Sequence, residues 1–236
     1  MRKIILFSPI YILAFLLFSC GTTTENPQVN NNENKPAPQE TEEIIIKSNG
    51  IIPNNAGPED TSIDRIACYN VENLFDTKDD ANKNDSQFLP SGKNKWTQDR
   101  YEKKIKDIAK VINYMGVPGI MGLVEVENKN VLEDLINDPQ LKEGDYKFVH
   151  EESPDYRGID VALLYDSEEY KLIESSVIRI NFPKSIVTNY TTRDVLHVIL
   201  KRKRSEKFHI FINHWPSRRG GEMESQPKRV YVAEQV

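Results

Sequence analysis

The sequence predicts an α/β domain in which helices pack against β-sheet. Two patterns predict this class: short runs rich in β-branched and aromatic residues read as strands, and segments with apolar residues at helical spacing alternate with them. Residues 61–236, about 175 in number, are enough for one sizeable core but not for two. We therefore expect a single folded domain over this range.

The first helix is predicted from a periodic apolar stripe that follows Thr97, a plausible N-cap. The stripe consists of Tyr101, Ile105, Ile108, Ala109, Ile112 and Met115. Short helices are also predicted at Val131–Ile136 and from Ser225 onward, with Pro227 in the first turn of the latter. The predicted strands are Arg65–Tyr69, Ile120–Val126, Tyr146–Val149, Ile159–Tyr165, Leu172–Ile180, Val195–Leu200 and Phe208–Asn213.

Residues 1–20 have the layout of a secretory signal. Arg2 and Lys3 precede an apolar run from Ile4 to Phe18, and Ser19-Cys20 resembles the end of a bacterial lipobox, in which the cysteine is acylated. An ordinary cleaved signal and a membrane anchor are the alternatives, but the run is shorter than the roughly 20 residues of a spanning helix. We expect a lipoprotein anchored through Cys20 in the bacterial cell envelope, at the outer membrane or in the periplasm.

Residues 21–60 are rich in Asn, Thr, Pro and Glu and are predicted to form a disordered tether. Beyond Cys20 the chain has one cysteine, Cys68, which is expected to be a small core residue. The net charge of -5 argues against a protein held on nucleic acid by bulk charge, although it does not exclude a nuclease. We expect a monomer.

Polar side chains at two strand ends predict a divalent-metal site. Asn70 and Glu72 are two residues apart on the first strand and so project on one side, and Glu125 ends an otherwise apolar strand. Carboxylate and amide oxygens suit a hard ion, Mg²⁺ or Mn²⁺. A capped turn is the alternative for Asn70 and Glu72.

A second set of residues suggests phosphate binding. His214 follows Asn213 at the end of the last strand and precedes Arg218 and Arg219, which can offer paired donors to phosphate oxygens. Elsewhere Arg157 and Asp160 bracket a glycine, where a structural salt bridge is as good an explanation as a phosphate contact.

Four motifs in this order, YNVENLFD, GLVEVEN, YRGIDVALLY and NHWPSR, resemble the endonuclease/exonuclease/phosphatase superfamily. The resemblance covers about Arg65 to the end and implies a four-layer α/β sandwich of two face-to-face β-sheets flanked by helices. It also implies metal ligation by Asn70, Glu72 and Glu125 and contact of His214 with the scissile phosphate. Asp160 is the candidate to orient His214.

Family members finish with a Gly-Asp-Phe-Asn-like segment and a Ser-Asp-His-like segment, and neither occurs in these 236 residues. We therefore expect a domain that is incomplete at its C-terminus. The predicted function is metal-dependent hydrolysis of a phosphoester, most plausibly a phosphodiester in a nuclease-like reaction, by activated water. The alternative is a non-catalytic surface-binding lipoprotein, or an inactive fragment, on the same scaffold.

Overall fold

The computed structural model describes the backbone of residues 10–15 and, in full, residues 65–202 and 207–236. Within these ranges the strands are β1 (Ile10–Phe15), β2 (Ile66–Leu74), β3 (Ile120–Val126), β4 (Tyr146–His150), β5 (Asp160–Asp166), β6 (Tyr170–Ile178), β7 (Val195–Arg202) and β8 (Lys207–Asn213). The α-helices are α1 (Gln98–Tyr114), α2 (Lys129–Ile136) and α3 (Glu222–Ala233).

Sheet 1 has the strand order β2-β3-β5-β4. β2 and β3 are parallel and are joined by α1, whereas β5 runs antiparallel to both β3 and β4. The apolar stripe of α1, with Ile105 and Ile112, and the apolar face of α2, with Leu132 and Leu135, are buried in one cluster with Leu164 of β5. The two helices therefore cover one face of sheet 1.

Sheet 2 has the order β1-β8-β7-β6 and packs on sheet 1. A second buried cluster joins residues of both sheets, among them Ile120 and Leu163 from sheet 1 and Val198 and Ile212 from sheet 2. Helix α3 places Val232 against Ile180 and Val195, near the end of β6 and the start of β7. The predicted α/β sandwich of two sheets with flanking helices is confirmed.

The element bounds agree with the predictions at β3 and at α1, which begins directly after Thr97. The prediction for α3 was wrong at its start: the helix begins at Glu222, so Pro227 lies inside it and beyond the first turn. Gly221 is the N-cap of this helix. Its φ of 115° is a conformation that glycine adopts without steric cost. Ser225 is buried and its hydroxyl donates to the Gly221 carbonyl.

Residues 10–15 lie within the segment predicted as a secretory signal, and the structure pairs their backbone with β8 as a parallel edge strand. Cys20 and the predicted tether at residues 21–60 lie outside the described residues. The export and lipidation of the chain stay predictions. Among the helices in the described part of the chain, none has the length and apolar character needed to cross a membrane.

Candidate active site

Two backbone irregularities face each other where β2 and β3 end. The pairing of β2 with β3 shifts between Asn70 and Leu74, and the pairing of β3 with β5 shifts on either side of Glu125. Glu72, Asn73 and Glu125 all have positive φ, at 56°, 61° and 69°. Non-glycine residues in this region are strained, and bulges of this kind re-aim side chains next to active sites. At this bulge Glu125 is partly exposed, whereas Val124 and Val126 on either side of it are buried.

Asn70 holds the Glu125 carboxylate. The Asn70 amide nitrogen donates to Glu125 Oε1 at 3.1 Å, and Asn70 Oδ1 accepts a hydrogen bond from the Glu72 amide at 2.8 Å. The Glu72 side chain itself is exposed. In this arrangement Asn70 supports Glu125, and metal ligation by Asn70 or Glu72 stays a prediction.

His214 follows β8 and reaches the same place from sheet 2. Its Nε2 lies 3.5 Å from Glu125 Oε1, so the two residues that the sequence singled out from distant motifs are brought together. Its Nδ1 is buried and has no hydrogen-bond partner in the described part of the chain. Burial, followed by the positive charges of Arg193 and Arg157, lowers the pKa of His214 to about 3. The imidazole is therefore neutral near pH 7.

Arg193 is a site residue that the sequence did not reveal. This guanidinium is buried, donates to the backbone carbonyls of His214 at 2.8 Å and Trp215 at 3.1 Å, and forms an ion pair with Asp155 at 3.1 Å. It fixes the backbone that carries the histidine. The only sequence signal is the polar triplet Thr192-Arg193-Asp194 before an apolar strand, which does not show that the arginine is buried.

A cleft of about 780 Å³ opens beside Glu125 and His214. The cleft is lined by four cationic side chains from separate segments of the chain: Arg157, Arg193, Arg219 and Lys228. The remaining lining residues are Asp155, Tyr156, Asn189, Tyr190, Thr191, Pro216 and Ser217. Because cations outnumber carboxylates along the walls, the cleft suits an anionic ligand.

The other residues predicted to bind phosphate have different surroundings. Arg157 and Arg219 line the cleft, whereas Arg218 lies 3.6 Å from Glu222 on the exposed first turn of α3. Asn213 is buried; its amide donates to the Phe211 carbonyl and accepts from the Trp215 indole. The Asn213 side chain therefore stabilises the turn before His214.

The Asp160 carboxylate contacts Ser153 and His150, and no hydrogen bond joins it to His214 among the described residues. Its Oδ1 accepts from the Ser153 amide at 3.0 Å and from the Ser153 hydroxyl, and its Oδ2 lies 3.6 Å from His150 Nε2. The expected role of Asp160 in orienting His214 is thus not supported by a contact. The register explains this: Asp160 pairs with Val126, which faces the helices, rather than with the cleft residues.

The Glu125 carboxylate and its neighbour Asn70 are the groups available to hold Mg²⁺ or Mn²⁺ at this site. The Glu125 side chain is 17% exposed and lines a cleft, and hydrated Mg²⁺ takes only one or two protein carboxylates. The residues fit such an ion, with Glu125 as its ligand and Asn70 holding that carboxylate in place. Burial raises the pKa of the Cys68 thiol to about 11, so this thiol is protonated near pH 7.

Comparison of the sequence with known proteins identifies the family to which the chain belongs. The model of the Endonuclease/Exonuclease/phosphatase family matches residues 65–236, and the chain belongs to that family. No curated protein matches the sequence at a significant level.

Several solved structures are similar to this chain at low sequence identity. D. rerio TDP2 humanized by 14 mutations is 15% identical, with 73% of this chain and 56% of that chain covered and a TM-score of 0.46. A functionally unknown conserved protein from Enterococcus faecalis V583 is 15% identical, with 72% and 58% covered and a TM-score of 0.47. An endonuclease/exonuclease/phosphatase from Bacteroides vulgatus is 18% identical, with 56% and 51% covered and a TM-score of 0.41. This chain spans a little over half the length of these proteins.

Proposed function

We propose that this chain carries the metal-binding and phosphate-binding part of a hydrolase that cleaves phosphoester bonds with Mg²⁺ or Mn²⁺. One observation carries the proposal: Glu125 and His214 lie 3.5 Å apart at a cleft whose walls hold four cationic side chains. Membership of the family supports the reaction class. A bound divalent ion would polarise a phosphoryl oxygen and offset the charge that develops on it.

The protein's own residues would bind and orient the phosphoryl group. Neutral His214 has one ring N–H; with this proton on Nε2, which lies 3.5 Å from Glu125 Oε1, the ring would donate to a phosphoryl oxygen bound beside Glu125. Arg157 and Arg219 can donate to the remaining oxygens. Arg193 holds the His214 backbone, so the position of this donor is set before charge develops.

Water is the proposed nucleophile, and no residue of this chain is assigned as the base that activates it. The segments that would supply that base in the family do not occur in the 236 residues. The non-catalytic alternative, a binding protein on the same scaffold, would use the same cleft to hold an anionic ligand without turnover.

The walls of the cleft favour a phosphodiester substrate, nucleic acid among them, over a small phosphomonoester. Tyr156 is 66% exposed and lines the cleft together with Arg157, and Lys228 Nζ lies 4.9 Å from the ring centroid of Tyr190 in the same cleft. Exposed aromatic rings next to cations are the surfaces on which unpaired nucleobases stack. A chain with net charge -5 would hold such a strand through this local cluster rather than through its overall charge.

The test is hydrolysis of bis-p-nitrophenyl phosphate by the full chain with Mg²⁺ or Mn²⁺. We expect Glu125→Gln to lower the rate at least about a hundredfold, because it removes the proposed metal ligand. Glu151→Gln, at an exposed position outside the cleft, is the matched control and should leave the rate unchanged. Equal rates for Glu125→Gln and the unmodified chain would exclude the metal site. Phosphate binding in the cleft without any turnover would favour the non-catalytic alternative.

We further propose that the protein is exported and anchored as a monomer to the cell envelope by lipid on Cys20. The charged start, apolar run and small residue before Cys20 support this proposal. Metabolic labelling with radioactive palmitate should mark the protein, and Cys20→Ala should abolish the label. Equal labelling of both forms would exclude lipidation at Cys20.

A further inference from the structure

A second cluster of potential metal ligands lies outside the cleft, where β4 ends and β5 begins. His150 is the last residue of β4, Asp160 is the first of β5, and Glu152 lies in the loop between them. One ligand atom from each of the three side chains lies within 4.8 Å of the others. None of the three lines the cleft that holds Glu125 and His214.

Two of these side chains, His150 and Asp160, are buried and have polar atoms without a hydrogen bond within the described ranges. The His150 imidazole is 0% exposed and the Asp160 carboxylate 1% exposed. Both ring nitrogens of His150 and Oδ2 of Asp160 lack a hydrogen bond among the described residues. Leaving a buried polar atom without a hydrogen bond is destabilising, so native proteins rarely leave three such atoms together. The arrangement indicates a ligand that satisfies them.

The spacing of the two buried groups fits a tetrahedral metal ion. His150 Nε2 and Asp160 Oδ2 are 3.6 Å apart, which is too long for a good hydrogen bond. Two ligands each about 2.0–2.1 Å from Zn²⁺ at a tetrahedral angle are about 3.4 Å apart. We propose that His150, Asp160 and Glu152 bind Zn²⁺, with water as the fourth ligand.

The surroundings hold these ligands in place. The Ser153 amide and hydroxyl both donate to Asp160 Oδ1, which leaves Oδ2 directed at His150. The Glu152 side chain is 55% exposed, and its ligand atom already lies within 4.8 Å of those of His150 and Asp160. Lys83 is the opposing group: its ammonium lies 3.6 Å from Glu152 Oε2 and competes with a cation for that carboxylate.

The bound ion would fix the loop that supplies one wall of the cleft. Residues 151–159 carry Glu152 at one end of the loop and Asp155, Tyr156 and Arg157 further along. These last three line the cleft, and Asp155 pairs with Arg193. The role is structural, and the site does not depend on the proposed hydrolase activity.

Zinc binding by the full chain can be measured in competition with a chromophoric chelator, and its geometry by the visible absorption of Co²⁺ in the same site. We expect one Zn²⁺ bound per chain outside the cleft and a tetrahedral Co²⁺ spectrum. Glu152→Gln should weaken zinc binding at least about tenfold, since it removes a ligand at an exposed position. Lys83→Met should strengthen binding, because it removes the competing cation.

Two controls separate this site from the cleft. Glu151→Gln, at the exposed neighbouring position, and Glu125→Gln, in the cleft, should both bind zinc as the unmodified chain does. The proposal is overturned if the chain fails to compete with the chelator, if Glu152→Gln binds zinc unchanged, or if Glu125→Gln removes the zinc. His150→Gln should also remove it, and if that variant does not fold, the Glu152 and Lys83 variants decide.

Discussion

At the scale of single residues, Glu125 has a strained backbone at the candidate site. Its φ of 69° places a side chain with a Cβ in the left-handed region, which costs about 1–2 kcal/mol relative to the right-handed one. A strand residue with ordinary φ would keep the alternation of the apolar residues around it. The strain accompanies the bulge that sets the carboxylate apart from its buried neighbours, and such strain is found where a site requires it.

We predict that Glu125→Gly is more stable than Glu125→Ala by about 1 kcal/mol, because glycine adopts this φ without steric cost. The measurement is the free energy of unfolding from urea denaturation. Val126, the next residue, has no positive φ and is the matched control, at which alanine should be the more stable substitution. A Glu125→Gly variant less stable than Glu125→Ala would contradict the strain at this position.

At the scale of elements, the sequence predicts the regular segments well and the irregular ones poorly. Strand β3 and the start of α1 follow from an apolar run and a periodic stripe with a capping threonine. The β2 strand was predicted to end at Tyr69 but continues to Leu74, because a strand can pass through a bulge and resume pairing. The register shift depends on the neighbouring strand, and local periodicity does not contain it.

At the scale of the whole molecule, the two sheets approach closely at one glycine. A Cβ added to Gly122 of β3 would lie 2.8 Å from Ile212 Cδ1 of β8 and 3.1 Å from Cys68 Sγ. These distances are shorter than ordinary van der Waals contact. Two residues beyond Ile212 the chain reaches His214, whose Nε2 lies 3.5 Å from Glu125 Oε1.

We predict that Gly122→Ala lowers the free energy of unfolding by about 1–3 kcal/mol through overpacking. Ile212→Val removes the methyl group that the new Cβ would meet, so the double variant should lose less stability than the sum of the single changes. Ile210→Val, in the same core but without that contact, should be additive with Gly122→Ala. Strict additivity for Ile212→Val in urea denaturation would show that the sheets are not in close contact at Gly122.

The sequence by itself determined the α/β class, most elements, and two residues of the candidate site, Glu125 and His214, because these follow from local periodicity and from motifs with distinctive side chains. Only the tertiary structure decided that Arg193 is buried behind His214, that the Asn213 amide is used locally, and that Asp160 faces His150. Each of these depends on pairing between segments far apart in the chain and on bulges that change which face a side chain occupies. The sequence gives the chemical type of each side chain, and the packing of the two sheets determines the direction in which that side chain points.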